Sequence, residues 1–496
     1  MKHVHLKILF LCSEAVPFAK TGGLGDVGGS LPLHLAKLGQ DVRLILPLYR
    51  VTKEQGFSLV LLAENIGVPL GYEGLPANIL KIKSKSDFAV YFVQREDLYE
   101  RPNLYANEQG DYYDNLERFT FYSHAALRIA QFVGFKPDIV HCHDWQTGLV
   151  PALVRGAYAK NPTFGTVSLV FTIHNIGYQG IFPKEKLYIT GLSEKEFFHP
   201  EGLEYWDKIS LLKSGIVYSD AVTTVSPRYA REIQSPEYGM GMEGILRKRK
   251  ERVYGILNGV DYDSWDPSKD RYLPATYCAE DLAGKGRCKE ALVLELGLLR
   301  SMVERPLLGV VSRLDAQKGL DLILKVIEPI LEQNVGLVIL GSGSKQIKDK
   351  ITEVMPRHAG RMAFKYAFDE PLAHRIIAGA DMLLVPSRYE PCGLTQMYAL
   401  KYGTVPLVHA TGGLDDTVVE FDPSKVEGNG FKFSPFAHGA FLDAIRKALH
   451  FFSNRELWRA IMLNGMQADF SWARSAKQYL DLYRSVVDRF PGRKIQ

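Results

Sequence analysis

The chain has 496 residues, with 60 Lys plus Arg against 56 Asp plus Glu and a formal net charge of +4. Hydrophobic residues make up 46% and charged residues 23%, the balance of ordinary globular domains, which excludes a long disordered chain. The excess of four cations is too small for a nucleic-acid-binding or polybasic membrane protein.

The length accommodates two large domains, each able to bury a core without disulfides or structural metal. No apolar run approaches the roughly 20 residues that span a bilayer. Leu6–Cys12 is interrupted by Lys7 and followed by Glu14, so it reads as a first buried strand and not as a secretory segment. The five cysteines (Cys12, Cys142, Cys278, Cys288, Cys392) are odd in number and show no paired close spacing, so a soluble, cytoplasmic protein is expected.

Short apolar runs alternate with helical stretches along the chain. In the first half, strands are predicted at 8–12, 42–46, 89–93, 139–142, 167–173, 221–225 and 253–257. In the second half they are predicted at 307–311, 336–340, 362–366, 382–385 and 405–408. Most are apolar at consecutive positions, the mark of parallel strands covered on both faces. Helices are predicted at 115–133, 319–333 and 441–452. Such alternation argues for doubly wound α/β sheets.

The stretch 258–283 is rich in Asp, Pro and Tyr and lacks periodicity, which suits an interdomain linker; a new strand–helix series starts after Pro306. The expected domains are 1–257, 258–475 and a C-terminal segment 476–496. The last helix, 472–490, carries Ala476, Tyr479, Leu480, Tyr483, Val486, Val487 and Phe490 on one stripe. Two open α/β sheets facing each other would gather their strand C-termini around one deep crevice, where such folds bind ligands.

The candidate chemistry sits at the predicted strand ends. Gly23, Gly25 and Gly28 form a G-x-G-x-x-G, but ten residues separate it from the first strand. The acidic residue expected about 20 positions later is also missing, so the dinucleotide reading fails. What remains is a glycine-rich loop opening a helix, with Lys20 beside backbone N–H groups expected to be free for an anion.

His141 and His143, two apart on a strand, would share a face as in some metal sites. No H-x-x-E-H or C-x-x-C companion accompanies them, so polar residues at a cleft mouth, Asp144 and Trp145 among them, are expected to meet a hydroxylated ligand. His174-Asn175 before two glycines reads either as a sugar-contacting loop or as a capped turn with a structural histidine.

In the second half, Arg313 and Lys318 lie five apart between a strand and a helix, an arrangement suited to a diphosphate. Gly341-Ser-Gly343 is explained by a tight turn. Ser387-Arg-Tyr-Glu390-Pro-Cys392-Gly393-Leu394-Thr395 again joins a strand to a helix, whose first N–H groups suit phosphate while Glu390 suits a sugar. Thr411-Gly-Gly413 adds another glycine loop.

Taken together, these segments resemble the bacterial glycogen synthase and plant starch synthase family nearly end to end. The motifs are KTGGLGDV at 20–27, HDWQTG at 143–148, TIHNIGYQG at 172–180, TTVSPRYA at 223–230, NGVD at 258–261, VSRLDAQKG at 311–319, SRYEPCGLTQMYALKYGT at 387–404 and TGGLDDTV at 411–418. The resemblance implies a GT-B architecture of two Rossmann-like domains facing a deep interdomain cleft. It also implies transfer of glucose from ADP-glucose to the non-reducing end of an α-1,4-glucan such as glycogen, with retention of configuration and without a metal or other cofactor. No nucleic-acid or membrane partner is implied, and a homo-oligomer is compatible.

By the same resemblance, Lys20, Gly22, Gly23 and Asp26 belong to the loop that meets the donor diphosphate. Asp144 is a sugar-contacting acid, and His174 and Asn175 face the donor glucose. Asn258 belongs to the binding set. Arg313 and Lys318 neutralise the leaving diphosphate, and together with Lys20 they are expected to converge on it across the cleft. Glu390 lies near the glucosyl unit, and Cys392, Gly393, Leu394 and Thr395 surround glucose and phosphates. His174, Arg313, Lys318 and Glu390 are the expected catalytic group. One departure stands out: many retaining relatives carry a second glutamate eight positions after the first, where this chain has Tyr398.

Overall fold

The computed structural model describes residues 5–83 and 88–489. They fall into two compact units: Met1–Val225, Ala230–Gly259 and Trp472–Gln496 form the first, and Ser226–Tyr229 and Val260–Ser471 the second.

The first unit is built on nine strands: β1 (Lys7–Leu11), β2 (Asp41–Pro47), β3 (Leu59–Leu70), β4 (Glu73–Ile82), β5 (Ala89–Gln94), β6 (Ile139–His143), β7 (Ser168–Ile173), β8 (Ala221–Thr224) and β9 (Val253–Gly255). Their order in the sheet is β9-β8-β7-β6-β1-β2-β5-β4-β3. Every pairing from β9 to β5 is parallel, and β4 joins β5 and β3 antiparallel. All residues of β6 and β7 are buried, the polar His141, His143, Ser168 and Thr172 among them, because helices cover both faces of the sheet.

The β3–β4 hairpin is absent from the sequence prediction. It lies at the sheet edge and leaves much of its length half-exposed, so its apolar residues follow no clean period; two register shifts near Ala63 blur the pattern further.

The terminal helix, Trp472–Arg489, belongs to the first unit. Ala476, Tyr479, Leu480, Tyr483 and Val486 of its stripe, together with Trp472, pack with Ile8, Phe10, Val27 and Leu31 in one core, and Val487 is partly buried against it. Phe490, the last residue of the predicted stripe, lies outside the described residues.

The second unit holds six parallel strands: β10 (Leu307–Val311), β11 (Gly336–Gly341), β12 (Met362–Tyr366), β13 (Met382–Val385), β14 (Val405–His409) and β15 (Phe431–Phe433). The order β12-β11-β10-β13-β14-β15 is that of the Rossmann fold. The chain first builds outward from β10 on one side and then from β13 on the other, so the loops after β10 and β13 flank the switch point. In the first sheet the same reversal falls between β1 and β6.

The stretch expected to be a linker is instead packed into the second unit. Asp270 is buried and accepts hydrogen bonds from His374 Nδ1 and the Tyr402 hydroxyl, both at 2.6 Å. Trp265 lies between two rings, 3.6 Å from His374 and 3.9 Å from Tyr398 by centroid. Polar composition hid this packing, because the buried polar groups are satisfied by partners more than a hundred residues away.

Candidate active-site residues

In the first unit, the loop after β1 leads into the helix Gly23–Lys37, with Gly22 at its N-cap. A side chain would meet nothing within 4 Å at Gly22 or Gly23, so the backbone there is open to a ligand. The other glycines serve packing: a Cβ would lie 2.1 Å from the Glu14 carbonyl at Gly28, 2.3 Å from the Val16 carbonyl at Gly29 and 3.0 Å from Lys20 Cβ at Gly25.

The expectation that the loop's amides are free is corrected at two positions. The buried Glu14 carboxyl accepts from Thr21 N at 2.5 Å, Gly22 N at 3.3 Å, the Thr21 hydroxyl at 2.7 Å and the Tyr105 hydroxyl at 2.8 Å. Burial outweighs these bonds and raises its pKa above the usual carboxylate value. Sequence reasoning missed Glu14, since nothing local announces that a residue seven positions earlier turns back onto the loop. Lys20 Nζ donates to Asp26 Oδ1 at 2.7 Å, so the structure brings two expected site residues together as an ion pair.

The ends of β6 and β7 meet next. Asp144, at φ +54°, directs Oδ1 back to accept from His174 N at 2.7 Å and is also bonded by the Asn175 backbone. It is thus less available to a hydroxylated ligand than expected; its carboxylate ties two strand ends together. Burial pushes its pKa up to about 7.

His174 Nε2 lies 2.9 Å from His143 Nδ1, and burial pushes His174 down to about 3, so the imidazole is neutral near neutral pH. His141 and His143 are lowered for the same reason. Asn175 Oδ1 accepts from Gly177 N at 2.9 Å, a capped turn. Trp145 is buried beneath Gly180, where a Cβ would stand 2.6 Å from the indole. Asn258 is buried at the end of the unit, and its Oδ1 has no hydrogen-bond partner among the described residues. No three His, Cys, Asp or Glu side chains among the described residues form a metal-ligand set.

In the second unit the switch-point loops interlock. Gly319 has φ +72°, and a Cβ there would lie 1.9 Å from the Pro386 carbonyl, so glycine lets the β10 loop press against the end of β13. Lys318, just before it, donates from Nζ to Glu390 Oε2 at 2.6 Å, and the Ser387 hydroxyl donates to the same oxygen at 2.9 Å. Sequence reasoning placed Lys318 at phosphate and Glu390 at sugar; the structure joins them as a largely buried pair, their side chains 20% and 8% exposed.

Arg313 is more open, at 54%, beside Asp315 at 3.4 Å and Gln317 at 3.4 Å. Gly412 and Gly413 cradle the other side, where Cβ atoms would lie 1.9 Å from the Glu390 carbonyl and 2.1 Å from the Cys392 carbonyl. Gly393 adopts φ +71°, Leu394 is the N-cap and Thr395 opens the helix Thr395–Lys401, while Gln396 Nε2 donates to the Cys392 and Gly393 carbonyls, both at 3.0 Å. The Cys392 side chain itself is buried. The stack of Tyr398 on Trp265 accounts for an aromatic ring where a second glutamate was looked for.

The family model described as the starch synthase catalytic domain matches residues 7–248, and that of glycosyl transferases group 1 matches residues 299–459. The glycogen synthase of Syntrophotalea carbinolica is 46% identical over 97% of this chain and 99% of its own length. The glycogen synthase of Koribacter versatilis is 45% identical over 97% and 98%. The chain belongs to the glycogen and starch synthase family.

Among solved structures, the catalytic domain of Arabidopsis thaliana starch synthase IV bound to ADP and acarbose superposes with a TM-score of 0.90. It is 34% identical and covers 98% of this chain and all of its own. A sucrose-phosphate synthase from Thermosynechococcus elongatus, 18% identical with a TM-score of 0.61, shares the fold alone. This glycogen and starch synthase relative is therefore a glycosyltransferase of GT-B fold, and the switch-point order of each sheet is what brings the family motifs to strand C-termini.

Proposed function

We propose that this chain is a glycogen synthase that transfers glucose from ADP-glucose to the non-reducing 4-hydroxyl of an α-1,4-glucan, retaining the anomeric configuration. The observation that carries the proposal is the bonding of Glu390 by Lys318 and Ser387 at the switch point of the second sheet, with the half-exposed Arg313 on the same loop as Lys318. Relatives named glycogen synthase, and a structural relative bound to ADP and acarbose, support both substrate classes.

In this reaction the bond between glucose C1 and the diphosphate oxygen breaks, and ADP leaves with the electron pair. The acceptor hydroxyl oxygen forms its bond to C1 on the same face, and its proton passes to a diphosphate oxygen. Arg313 and Lys318 stabilise the charge developing on the diphosphate, usually the largest contribution in such sites. Glu390, held by Lys318 and Ser387, stabilises positive character on the sugar. The backbone N–H groups at Leu394 and Thr395, with Cys392 and Gly393 shaping the turn, are proposed for phosphate and glucose. In the first unit, the roles proposed for Lys20, Gly22, Gly23, Asp26, Asp144, His174, Asn175 and Asn258 are donor and sugar contacts, with Asp26 orienting Lys20 and Asp144 orienting the His174 loop.

The reaction is proposed to need no metal, so activity should survive chelation by EDTA. A cytoplasmic setting is also proposed: no helix among the described residues is long and apolar enough to cross a membrane, and the five cysteines form no disulfide among the described residues. The test is incubation with glycogen and either ADP-glucose or UDP-glucose, measuring nucleotide release. Release with ADP-glucose is expected; release from neither donor overturns the proposal.

A further inference from the structure

We propose that His143 is a positioning residue that holds His174 as the neutral tautomer protonated on Nδ1, so that His174 offers the donor sugar a hydrogen-bond donor and not an acceptor. The inference rests on the reading of His174 as a sugar contact. His143 is a buried histidine for which the reaction has no direct use.

His143 is fully buried at the end of β6. Its Nδ1 lies 2.9 Å from His174 Nε2, while its own Nε2 has no hydrogen-bond partner among the described residues. The rings packed on it cannot supply one. Phe10 lies 4.3 Å away by centroid and is apolar. His141 lies 4.0 Å away, but both its nitrogens are engaged, Nδ1 with the Tyr483 hydroxyl at 2.7 Å and Nε2 with the Thr172 hydroxyl at 2.6 Å.

A neutral imidazole carries one N–H, and the two possible arrangements are unequal. With the proton on His143 Nε2, a buried N–H donor would be left without an acceptor, which is rare and costly. With the proton on His143 Nδ1, the only group left unpaired is an acceptor lone pair, and the N–H donates to His174 Nε2. That nitrogen then accepts, so the single proton of His174 resides on Nδ1. Full burial keeps both rings neutral, which removes the doubly protonated alternative. The backbone of His174 is held separately by Asp144, so ring orientation and loop position have different supports.

The test reads the proton directly. The full chain, labelled with 15N-histidine, is observed by solid-state 15N NMR, with the His174 signals assigned by their loss in His174→Gln. A protonated Nδ1 and a bare Nε2 on His174 are expected; a protonated Nε2 overturns the proposal. Kinetics supply the second readout. His143→Asn places an amide nitrogen at the same two-bond distance from Cβ as Nδ1, whereas His143→Leu has no donor. The Asn variant should retain a kcat about tenfold above that of the Leu variant at the same KM for ADP-glucose, the loss expected for one neutral hydrogen bond. Equal losses in the two variants would also overturn the positioning role. If the wild-type protein releases nucleotide from neither sugar donor, the proposed function fails while the 15N spectrum still decides the tautomer.

Discussion

Lys318→Ala separates catalysis from stability, because the same ammonium serves both. In the wild type, Lys318 Nζ lies 2.6 Å from a Glu390 carboxylate whose side chain is 8% exposed. Removing the lysine leaves that buried charge with only the Ser387 hydroxyl on the same oxygen. Breaking a buried pair costs about 3–5 kcal/mol, and the lower end applies here because Lys318 itself is 20% exposed. Loss of one preorganised cation at a developing negative charge costs about 2.7–4 kcal/mol of transition-state stabilisation, which at 1.36 kcal/mol per decade is a fall of roughly 10²–10³ in kcat.

The two effects part company in Lys318→Ala/Glu390→Gln. Neutralising the carboxylate removes the orphaned charge, so the unfolding midpoint recovers towards wild type while turnover stays low. Initial rates of ADP release with glycogen, read alongside urea unfolding of the same preparations, measure both. Wild-type-like turnover in Lys318→Ala, or a double variant that regains activity together with stability, would overturn the role assigned to Lys318.

Three further outcomes follow from the same geometry. His174 at about 3 and His124 at about 4 sit below the free value of 6.5, so the unfolded chain takes up protons that the native state refuses; their contribution is lost as pH falls from about 6.5 through 4 for His124 and towards 3 for His174. Asp144, raised from 3.8 to about 7, acts in the opposite sense, destabilising as pH rises through that window, so Asp144→Asn should steepen the acid loss of stability measured by urea unfolding at stepped pH. Gly319→Ala forces a Cβ to 1.9 Å from the Pro386 carbonyl at φ +72° and should cost about 2 kcal/mol or more, whereas Gly22→Ala meets nothing within 4 Å and should leave the melting temperature within about 1 °C. Tyr398→Glu, which installs the carboxylate found in other retaining enzymes, breaks the stack on Trp265 and buries a charge, so a loss of about 3 kcal/mol with no gain in kcat is expected from unfolding and ADP-release assays.

Much of the architecture is legible in local pattern. Runs of apolar residues in β10, β11 and β13 announce strands covered on both faces, since a doubly buried strand has no solvent-facing side for alternating polar residues. Glycines and cations after those strands mark the loops at the switch points, and the joint motifs point to the family. The β3–β4 hairpin escaped, because an edge element with one partly exposed face and register shifts carries no sustained period. The packing of 258–283 escaped because burial there depends on distant partners of Trp265 and Asp270.

What sequence alone determined was which chemical groups stand in the loops that follow strands: Lys20, His174, Arg313, Lys318 and Glu390 are all local readings. Tertiary structure decided what each group is bonded to. Lys318 meets Glu390 across 72 positions, Glu14 turns back onto the glycine loop, His143 reaches His174 from the neighbouring strand, and the terminal helix completes the core of the first unit. The physical reason is range. Strand, helix and turn preferences act over a few residues, whereas hydrogen bonds and ion pairs are settled only when parallel pairing brings separate strand ends to one edge of a sheet.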